Sequence, residues 1–215
     1  ICRENGIPFH TDAVQATSYL SLDVQALNVD LLSLGAHKFY GPKGVGVLYV
    51  RKGTPILPCQ TGGGQEGGLR SGTQNVPYIV GMSSALKFVQ KNQTQWNTGL
   101  PILRDWLIEQ VRQNIPNSAL TGHPTQRLPN HASFVFEAVD SQKLLTLLDV
   151  EGFACSSGSA CKTGNPSPSE VLLALGLSRN LALGSLRVTL GKDTTAEHLE
   201  RFFDCLLDKV KNLRG

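Results

Sequence analysis

Apolar positions in the first part of the chain form short runs that are separated by polar and glycine-rich connections. The run from Val29 to Leu34 is apolar at nearly every position, which is typical of a strand buried on both faces of a parallel sheet. A second apolar run covers Val45 to Val50, a short strand is predicted around Pro8 to His10, and helical spacing extends from Pro77 to Val89. This alternation predicts an α/β domain over residues 1–92.

The pattern changes after the polar run Lys91 to Gln95, and residues 93–215 are predicted to form a small α+β domain. The predicted elements are a helix over Thr98 to Gln113, a strand over Ala132 to Phe136, a helix over Ser141 to Leu148, a strand near Gly152 to Cys155, a strand over Gly184 to Leu190 and an amphipathic helix over Thr195 to Val210. Thr194 or Thr195 is expected to cap the last helix.

Composition narrows the class of protein. The 215 residues are 40% hydrophobic and carry a net charge of +3, and the basic residues form no run that would favour nucleic acid or a membrane surface. Five cysteines at irregular spacing fit no disulfide framework or zinc site, so a reducing compartment is expected. The chain opens with Ile1, and Asn5-Gly6 resembles a helix C-cap, so further sequence is expected upstream.

Lys38 is the first candidate for chemistry. It follows the predicted strand over Val29 to Leu34, comes directly after His37, and precedes a glycine- and proline-rich turn that ends at Gly44. A partly buried lysine at such a position is a nucleophilic amine that can form a Schiff base with a carbonyl group. The alternative is an ordinary surface lysine in a turn.

Asp12 is the second candidate, within Thr11 to Gln15 (TDAVQ). It follows a short predicted strand, and the carboxyl ends of parallel strands are where α/β sheets place their ligands. An aspartate there can hold a positive partner, such as the protonated ring nitrogen of pyridoxal phosphate. The alternative is a helix N-cap.

A glycine-rich segment from Thr61 to Thr73 is a weaker signal. Its backbone amides, together with Arg70, Ser71 and Thr73, are candidates for surrounding an anion such as a phosphate. The segment matches neither the P-loop nor the dinucleotide-binding pattern, and a flexible surface loop is the alternative.

Two further candidates lie in the second half of the chain. Cys161 stands among small, turn-forming residues beside Lys162, so it is predicted to be an exposed thiol with thiolate character, whereas Cys155 is predicted to be buried. The alternative for Cys161 is an inert surface thiol. Arg187 lies in a predicted strand, where an inward-facing guanidinium would bind a carboxylate or form an ordinary structural ion pair.

The order of these motifs closely resembles the cysteine desulfurases of the NifS/IscS type, which are class V aminotransferases. The motifs are TDAVQ, GAHKFYGPKG, GGGQE followed by RSGT, SSGSAC and SLRVTLG. The resemblance extends along the whole chain and corresponds to little more than the last half of a family member. It implies the α/β PLP-dependent transferase fold of aspartate aminotransferase, with residues 1–92 as part of a large domain with a mainly parallel sheet and residues 93–215 as the small domain that carries the cysteine loop.

The resemblance also implies roles in binding pyridoxal 5'-phosphate. Lys38 would form the Schiff base, Asp12 would face the pyridine nitrogen, Gln15 the ring hydroxyl and His37 the phosphate. Thr73 corresponds to a threonine that reaches the phosphate of the neighbouring subunit, which implies a homodimer.

The implied reaction converts L-cysteine to L-alanine. Arg187 would bind the substrate carboxylate, and Cys161 would take the sulfur as a persulfide and pass it to an acceptor protein such as an iron–sulfur scaffold. No metal, nucleic acid or membrane partner is expected from the charge pattern and the cysteine spacing, and the cytoplasm is the expected compartment.

One position departs from the family pattern. The family often has a serine three residues before the lysine, where its hydroxyl helps to hold the phosphate, and this chain has Gly35 there. Ser33 lies two residues earlier on the same strand face. The alternatives to a desulfurase are a selenocysteine lyase or cystine lyase, and an incomplete or cleaved chain that acts only as an interaction partner.

Overall fold

The computed structural model of the chain describes residues 1–158 and 168–215. These residues form two compact units, Ile1–Thr94 and Gln95–Gly215, and each unit contains a three-stranded sheet. The sequence predicts a boundary after residue 92.

The sheet of the first unit has the order β1-β2-β3. β1 spans His10–Asp12, β2 spans Leu31–Gly35 and β3 spans Gly46–Val50. β1 and β2 are parallel, whereas β2 and β3 are antiparallel. The sequence predicts a mainly parallel sheet, but the described sheet is mixed. The ten residues 36–45 that join β2 to β3 are fewer than the dozen or so that a parallel crossover needs.

The core of the first unit lies on one face of β2. Leu32 is 2% exposed and packs with Ala13 and Val29, and Leu34 borders the same cluster. Because side chains alternate along a strand, Ser33 and Gly35 belong to the other face. The prediction that β2 is buried on both faces is therefore wrong for this unit, in which only Leu32 of the strand is fully buried.

A single long helix, α1, spans Val76–Asn114 and contains Pro101. The prediction of two helices separated by residues 91–95 is wrong. That polar run contains no glycine or proline to end a helix, and lysine and glutamine are good helix formers at exposed positions. No helix in the described part of the chain is long and apolar enough to span a membrane.

The second unit contains an antiparallel sheet in the order β4-β5-β6. The remaining elements, in chain order, are β4 (Ser118–Leu120), β5 (His131–Phe136), α2 (Ser141–Val150), α3 (Glu170–Ala174), α4 (Arg179–Leu183), β6 (Ser185–Thr189) and α5 (Ala196–Arg214). Thr195 caps α5, because its side chain accepts a hydrogen bond from the backbone N–H of His198 at 3.2 Å. The strand predicted near Gly152 to Cys155 is absent from the described structure, where Ser156 forms one isolated β-bridge with Arg187.

Phe134, Phe136 and Leu186 share one face of this second sheet and are completely buried. Other completely buried side chains of this unit come from α1, α2 and α5: Leu107, Val111, Leu144, Leu148 and Leu206. On the opposite face, Val135 is covered by Leu172 of α3 and Ala182 of α4. The rest of that face carries half-buried His131 and Arg187, so the packing leaves polar side chains on a partly covered sheet surface.

Candidate active site

Lys38 and His37 project from a turn whose flanking residues are buried. A 3-10 turn spans Ala36–Lys38 directly after β2; Ala36 and Phe39 are 0% exposed, whereas His37 and Lys38 are exposed. The carbonyl of Ala36 accepts hydrogen bonds from the N–H groups of Phe39, at 3.0 Å, and Gly41, at 2.9 Å. The prediction that Lys38 lies just beyond a strand is confirmed. The expected partial burial of its side chain is wrong for this unit, because the buried neighbours turn both side chains outward.

The chain after Lys38 is held in an unusual conformation. Tyr40 has φ +66°, a left-handed value that costs free energy for a residue other than glycine. Its side chain hydrogen bonds to Tyr19 and packs edge-on against Phe88, with ring centroids 6.3 Å apart. At Gly41 an added Cβ would lie 3.0 Å from both the Cβ and the carbonyl oxygen of Ala36, so only glycine fits without a shift. The turn that presents Lys38 is therefore firmly anchored.

Tyr19, the partner of Tyr40, is a neutral hydroxyl at physiological pH, because the ordinary pKa of tyrosine lies well above that range. Burial and, secondarily, the adjacent Tyr40 raise the pKa of Tyr19 further.

Asp12 is the last residue of β1, as the sequence predicts, and its side chain is exposed. Its Oδ1 accepts a hydrogen bond from the backbone N–H of Val14 at 2.9 Å. This bond resembles an N-cap, but turns rather than a regular helix follow over residues 14–19. Within the described residues Oδ2 has no hydrogen-bond partner in the structure, so one carboxylate oxygen is available to a ligand while the other fixes its orientation.

The structure brings Asp12 and the Lys38 turn to the same edge of the sheet. Asp12 is the register partner of Ser33 in the parallel pair, and β2 ends two residues later at Gly35. A Cβ placed on Gly35 would lie 3.6 Å from Cγ1 of Val14 and 3.4 Å from Cε1 of His37. The segment after Asp12 and the ring of His37 therefore border the same space.

Gln15 lies in the turn after β1, three residues beyond Asp12, and is exposed. Its position is compatible with the expected contact to a cofactor ring.

Sequence reasoning did not single out His10, which forms a polar pair on this face. His10 Nε2 and Ser33 Oγ are 2.8 Å apart, so the two parallel strands are joined by side chains next to Asp12. Ser33 is thus engaged with His10 rather than replacing the missing hydroxyl at Gly35. The signal was present in the sequence: His10 and Asp12 are two residues apart, a spacing that places both on one face of a strand.

The glycine-rich segment is a folded loop rather than an open anion cradle. Ser71 is 4% exposed, and its hydroxyl donates to the carbonyl of Gln60 at 2.9 Å. The N–H of Gly72 donates to Oε1 of Gln65 at 3.1 Å. The expectation that Ser71 contacts an anion is therefore wrong, because its donor closes the loop. Arg70 and Thr73 are exposed.

Arg187 lies in the middle of β6 on the partly covered face of the second sheet. Its Nη2 donates to Oγ of Ser156 at 3.3 Å. Among the residues that the structure describes, Arg187 has no acidic partner within ion-pair distance, so the structural ion pair that the sequence leaves open is not observed there. Arg104, in contrast, is paired with Asp105 at 2.8 Å.

The surroundings of Arg187 are electropositive. Burial, followed by the nearby charges of Arg127 and Arg187, lowers the pKa of His131, and Arg104 contributes in the same direction. Arg127 already donates to the carbonyls of Thr121 and His123, at 2.9 Å each. Arg187 therefore has the spare donors with which to bind an anion on this face.

Cys161 lies outside the described residues. The preceding Cys155 is half-buried, and burial raises the pKa of its thiol to about 11, with Cys205 as a secondary cause. Cys155 is therefore protonated at neutral pH, which fits its predicted role as a small buried side chain. Within residues 1–158 and 168–215, no three His, Cys, Asp or Glu side chains gather as metal ligands would.

Residues 1–202 match the family described as "Aminotransferase class-V". The chain belongs to the class-V aminotransferase family. Members of this family depend on pyridoxal 5'-phosphate and share the predicted fold.

Curated relatives and solved structures agree with this assignment. The chain is 46% identical over 215 residues to "Cysteine desulfurase IscS" of Methanosarcina thermophila, covering all of this chain and 53% of the relative. It is 41% identical over 210 residues to "Cysteine desulfurase NifS" of Azotobacter vinelandii, covering 98% of this chain and 52% of the relative. A solved "NIFS-LIKE PROTEIN" superposes with a TM-score of 0.87 at 34% identity, covering 98% of this chain and 55% of that one. The chain thus spans about half the length of the relatives it matches.

The residues at the edge of the first sheet fit the family's cofactor. Asp12 offers a carboxylate oxygen, Lys38 an exposed amine and His37 a ring beside the open space at Gly35. These are an acceptor for the N–H of a protonated pyridine ring, an amine that can condense with an aldehyde, and a ring that can donate a hydrogen bond to a phosphate.

Proposed function

We propose that the protein carrying this chain is a pyridoxal-phosphate-dependent cysteine desulfurase, which converts L-cysteine to L-alanine and transfers the sulfur to Cys161 as a persulfide. The observation that carries the proposal is the position of Asp12, His37 and Lys38 at one edge of the parallel β1–β2 pair, with both strands ending there. Family membership and the names of the relatives support the choice of reaction.

Each residue would have a separate task. Pyridoxal phosphate supplies an electron sink for the bonds of a bound amino acid. Asp12, held by the Val14 amide, would keep a positive ring nitrogen in place through Oδ2. Lys38 would anchor the cofactor through its amine and move a proton to and from the substrate, while His37 would face the phosphate.

Arg187 would bind the substrate carboxylate. A half-buried guanidinium without an acidic partner in the described part of the chain, in surroundings made positive by Arg127 and Arg104, favours an incoming carboxylate. One solved structure that resembles this chain, with a TM-score of 0.65 and 34% identity, is titled "SspA in complex with cysteine", which supports cysteine as the substrate.

The finer parts of the proposal concern assembly. We propose a homodimer in which Thr73 reaches the phosphate in the neighbouring subunit, and an acceptor protein, such as an iron–sulfur scaffold, that takes the sulfur from Cys161. Thr73 is exposed just before α1, which fits a contact outside its own subunit. We also propose a cytoplasmic location, because the four cysteines in the described residues are free.

The comparisons favour the desulfurase over the alternatives. The relatives described above carry the names of cysteine desulfurases rather than selenocysteine or cystine lyases.

Replacing Lys38 with alanine tests the proposal most simply. The protein carrying Lys38→Ala is expected to lose both the visible absorbance of bound cofactor and the production of alanine from L-cysteine. Lys43→Ala is the matched control, because Lys43 is also exposed and lies in the same turn region. Retention of cofactor absorbance in Lys38→Ala, with loss in Lys43→Ala, would show that the anchor is misassigned.

A further inference from the structure

Ser156 and Arg187 are joined by three hydrogen bonds. The backbone N–H of Arg187 donates to the carbonyl of Ser156 at 2.6 Å, and the N–H of Ser156 donates to the carbonyl of Arg187 at 3.3 Å. The third bond links Nη2 of Arg187 to Oγ of Ser156 at 3.3 Å. Ser156 therefore fixes both the backbone and the guanidinium of the same arginine.

The strand partner on the other side restricts Arg187 further. Ser133 of β5 lies opposite Arg187 in the register. Because both main-chain groups of Arg187 bond to Ser156, the Arg187–Ser133 pair is of the non-hydrogen-bonded type, in which side chains approach most closely. The hydroxyl of Ser133 accepts a bond from Oγ1 of Thr121 at 2.7 Å, so this neighbour is itself held in place.

The one side-chain bond leaves most of the guanidinium free. A guanidinium has five N–H donors, and within the described residues Ser156 is the acceptor that the structure shows for it. A flexible arginine side chain loses affinity for a ligand when it must be ordered on binding, and a group that orders it beforehand removes that loss. Ser156 is suited to this task because its hydroxyl occupies one donor and carries no charge that would compete for the others.

We propose that Ser156 is a positioning residue for substrate recognition: its hydroxyl holds the guanidinium of Arg187 in the orientation that receives the substrate carboxylate. This role rests on the proposed function, in which Arg187 binds that carboxylate. Ser156 touches neither substrate nor cofactor in this role and acts through Arg187 alone. It stands five residues before Cys161 in the sequence, at the start of the segment that carries the proposed nucleophile.

Adjacent serines provide a matched pair of variants. Ser156→Ala removes the side-chain bond and keeps both backbone bonds. Ser157→Ala is the control, because the hydroxyl of Ser157 accepts from Nε2 of Gln142 at 3.2 Å and not from Arg187. Ser156→Thr keeps a hydroxyl at the position. If the alanine variant fails to fold, the same measurements are made on Ser156→Gly, which lacks the same hydroxyl.

Two readouts separate positioning from general damage. In the cofactor-loaded protein we would measure kcat and KM for L-cysteine, and the dissociation constant for L-alanine by spectral titration. If Arg187 must instead be ordered when the substrate binds, the cost of ordering one side chain predicts that Ser156→Ala raises KM and the L-alanine dissociation constant by about threefold to tenfold. We expect kcat to be unchanged, Ser157→Ala to match the parent protein and Ser156→Thr to recover most of the affinity.

The outcomes distinguish this inference from the proposed function. Unchanged KM in Ser156→Ala, an equal rise in Ser157→Ala, or a fall in kcat alone would overturn the positioning role. Arg187→Ala is the reference variant, for which we expect loss of L-alanine binding of about a hundredfold or more. If Arg187→Ala binds L-alanine normally, the proposed role of Arg187 fails. If it binds poorly while Ser156→Ala binds normally, only the role of Ser156 fails.

Discussion

Restoring a hydroxyl at position 35 should tighten cofactor binding. Gly35 has φ −127° and ψ 116°, an extended conformation open to any residue. A Cβ there would lie 3.4 Å from Cε1 and 3.6 Å from Nδ1 of His37, and 3.6 Å from Cγ1 of Val14. All three distances are ordinary van der Waals contacts, so Gly35→Ser should be accommodated without strain. Its hydroxyl would stand beside the ring that is proposed to face the phosphate.

The expected magnitude follows from the charge of the acceptor. A hydrogen bond to a charged group contributes about 1.5–3 kcal/mol. A free-energy gain of about 1.4 kcal/mol is a tenfold change in a dissociation constant, so Gly35→Ser should lower the dissociation constant for pyridoxal phosphate by about tenfold to a hundredfold. The constant would be measured by titrating cofactor-free protein and following the absorbance of the bound cofactor.

Gly35→Ala is the matched control for this prediction. It adds the same Cβ and the same loss of backbone freedom in the unfolded chain, worth about 0.4–1 kcal/mol of stability, but no hydroxyl. Its cofactor affinity should stay close to that of the parent protein. Equal affinities of the serine and alanine variants would show that position 35 does not face the phosphate. A weaker serine variant would show that the space beside His37 is already used.

Four further predictions concern residues of the second unit and the cysteines. Arg187→Ala should raise the pKa of His131, because it removes one of the cations that lower it; NMR titration of the imidazole would show this, and an unchanged pKa would contradict the electropositive cluster. Because the pKa of His131 is lowered in the folded state, that state binds fewer protons than the unfolded state below the ordinary histidine pKa of 6.5. The free energy of unfolding should therefore decrease as pH falls through that value, and chemical denaturation at several pH values would measure it. Iodoacetamide should label exposed Cys59 faster than Cys155, because the pKa of Cys155 is raised to about 11. Peptide mass spectrometry would measure both rates, and equal rates would contradict the prediction. Leu206→Ala should lower the free energy of unfolding by about 2–5 kcal/mol in a denaturant titration, since that side chain is 0% exposed, and a loss below about 1 kcal/mol would contradict its place in the core.

Local sequence signals predicted much of the fold. Apolar runs placed β2 and β3 within two residues of their observed bounds, and the observed cap of α5, Thr195, is one of the two threonines expected there. The prediction of two helices in place of the single α1 rests only on the polar run over residues 91–95. Polarity marks an exposed surface, whereas ending a helix requires a breaker such as glycine or proline.

The location of a site residue could be predicted where it depends only on the residue's own segment of the chain. The positions of Asp12 at the end of β1 and of Lys38 just after β2 could be predicted in this way, from the sequence motifs and from the predicted strands that precede them. The bond between His10 and Ser33 and that between Arg187 and Ser156 join residues far apart in sequence, at separations of 23 and 31. No periodicity in one segment encodes such pairs, because they depend on which strands lie side by side.

The single glycine-rich segment shows the same limit. Its composition allowed an anion cradle, but the hydroxyl of Ser71 bonds to the carbonyl of Gln60 eleven residues away. Whether a polar side chain is free for a ligand depends on its partners in the folded chain rather than on its own type.

In the proposed reaction, sulfur from L-cysteine arrives on Cys161. Peptide mass spectrometry of the cofactor-loaded protein, after brief incubation with L-cysteine and trapping of persulfides by an alkylating agent, tests it directly. We expect one additional sulfur atom on the peptide that contains Cys161, and none on that peptide in Lys38→Ala. Formation of alanine from L-cysteine with no added sulfur on Cys161 would contradict it.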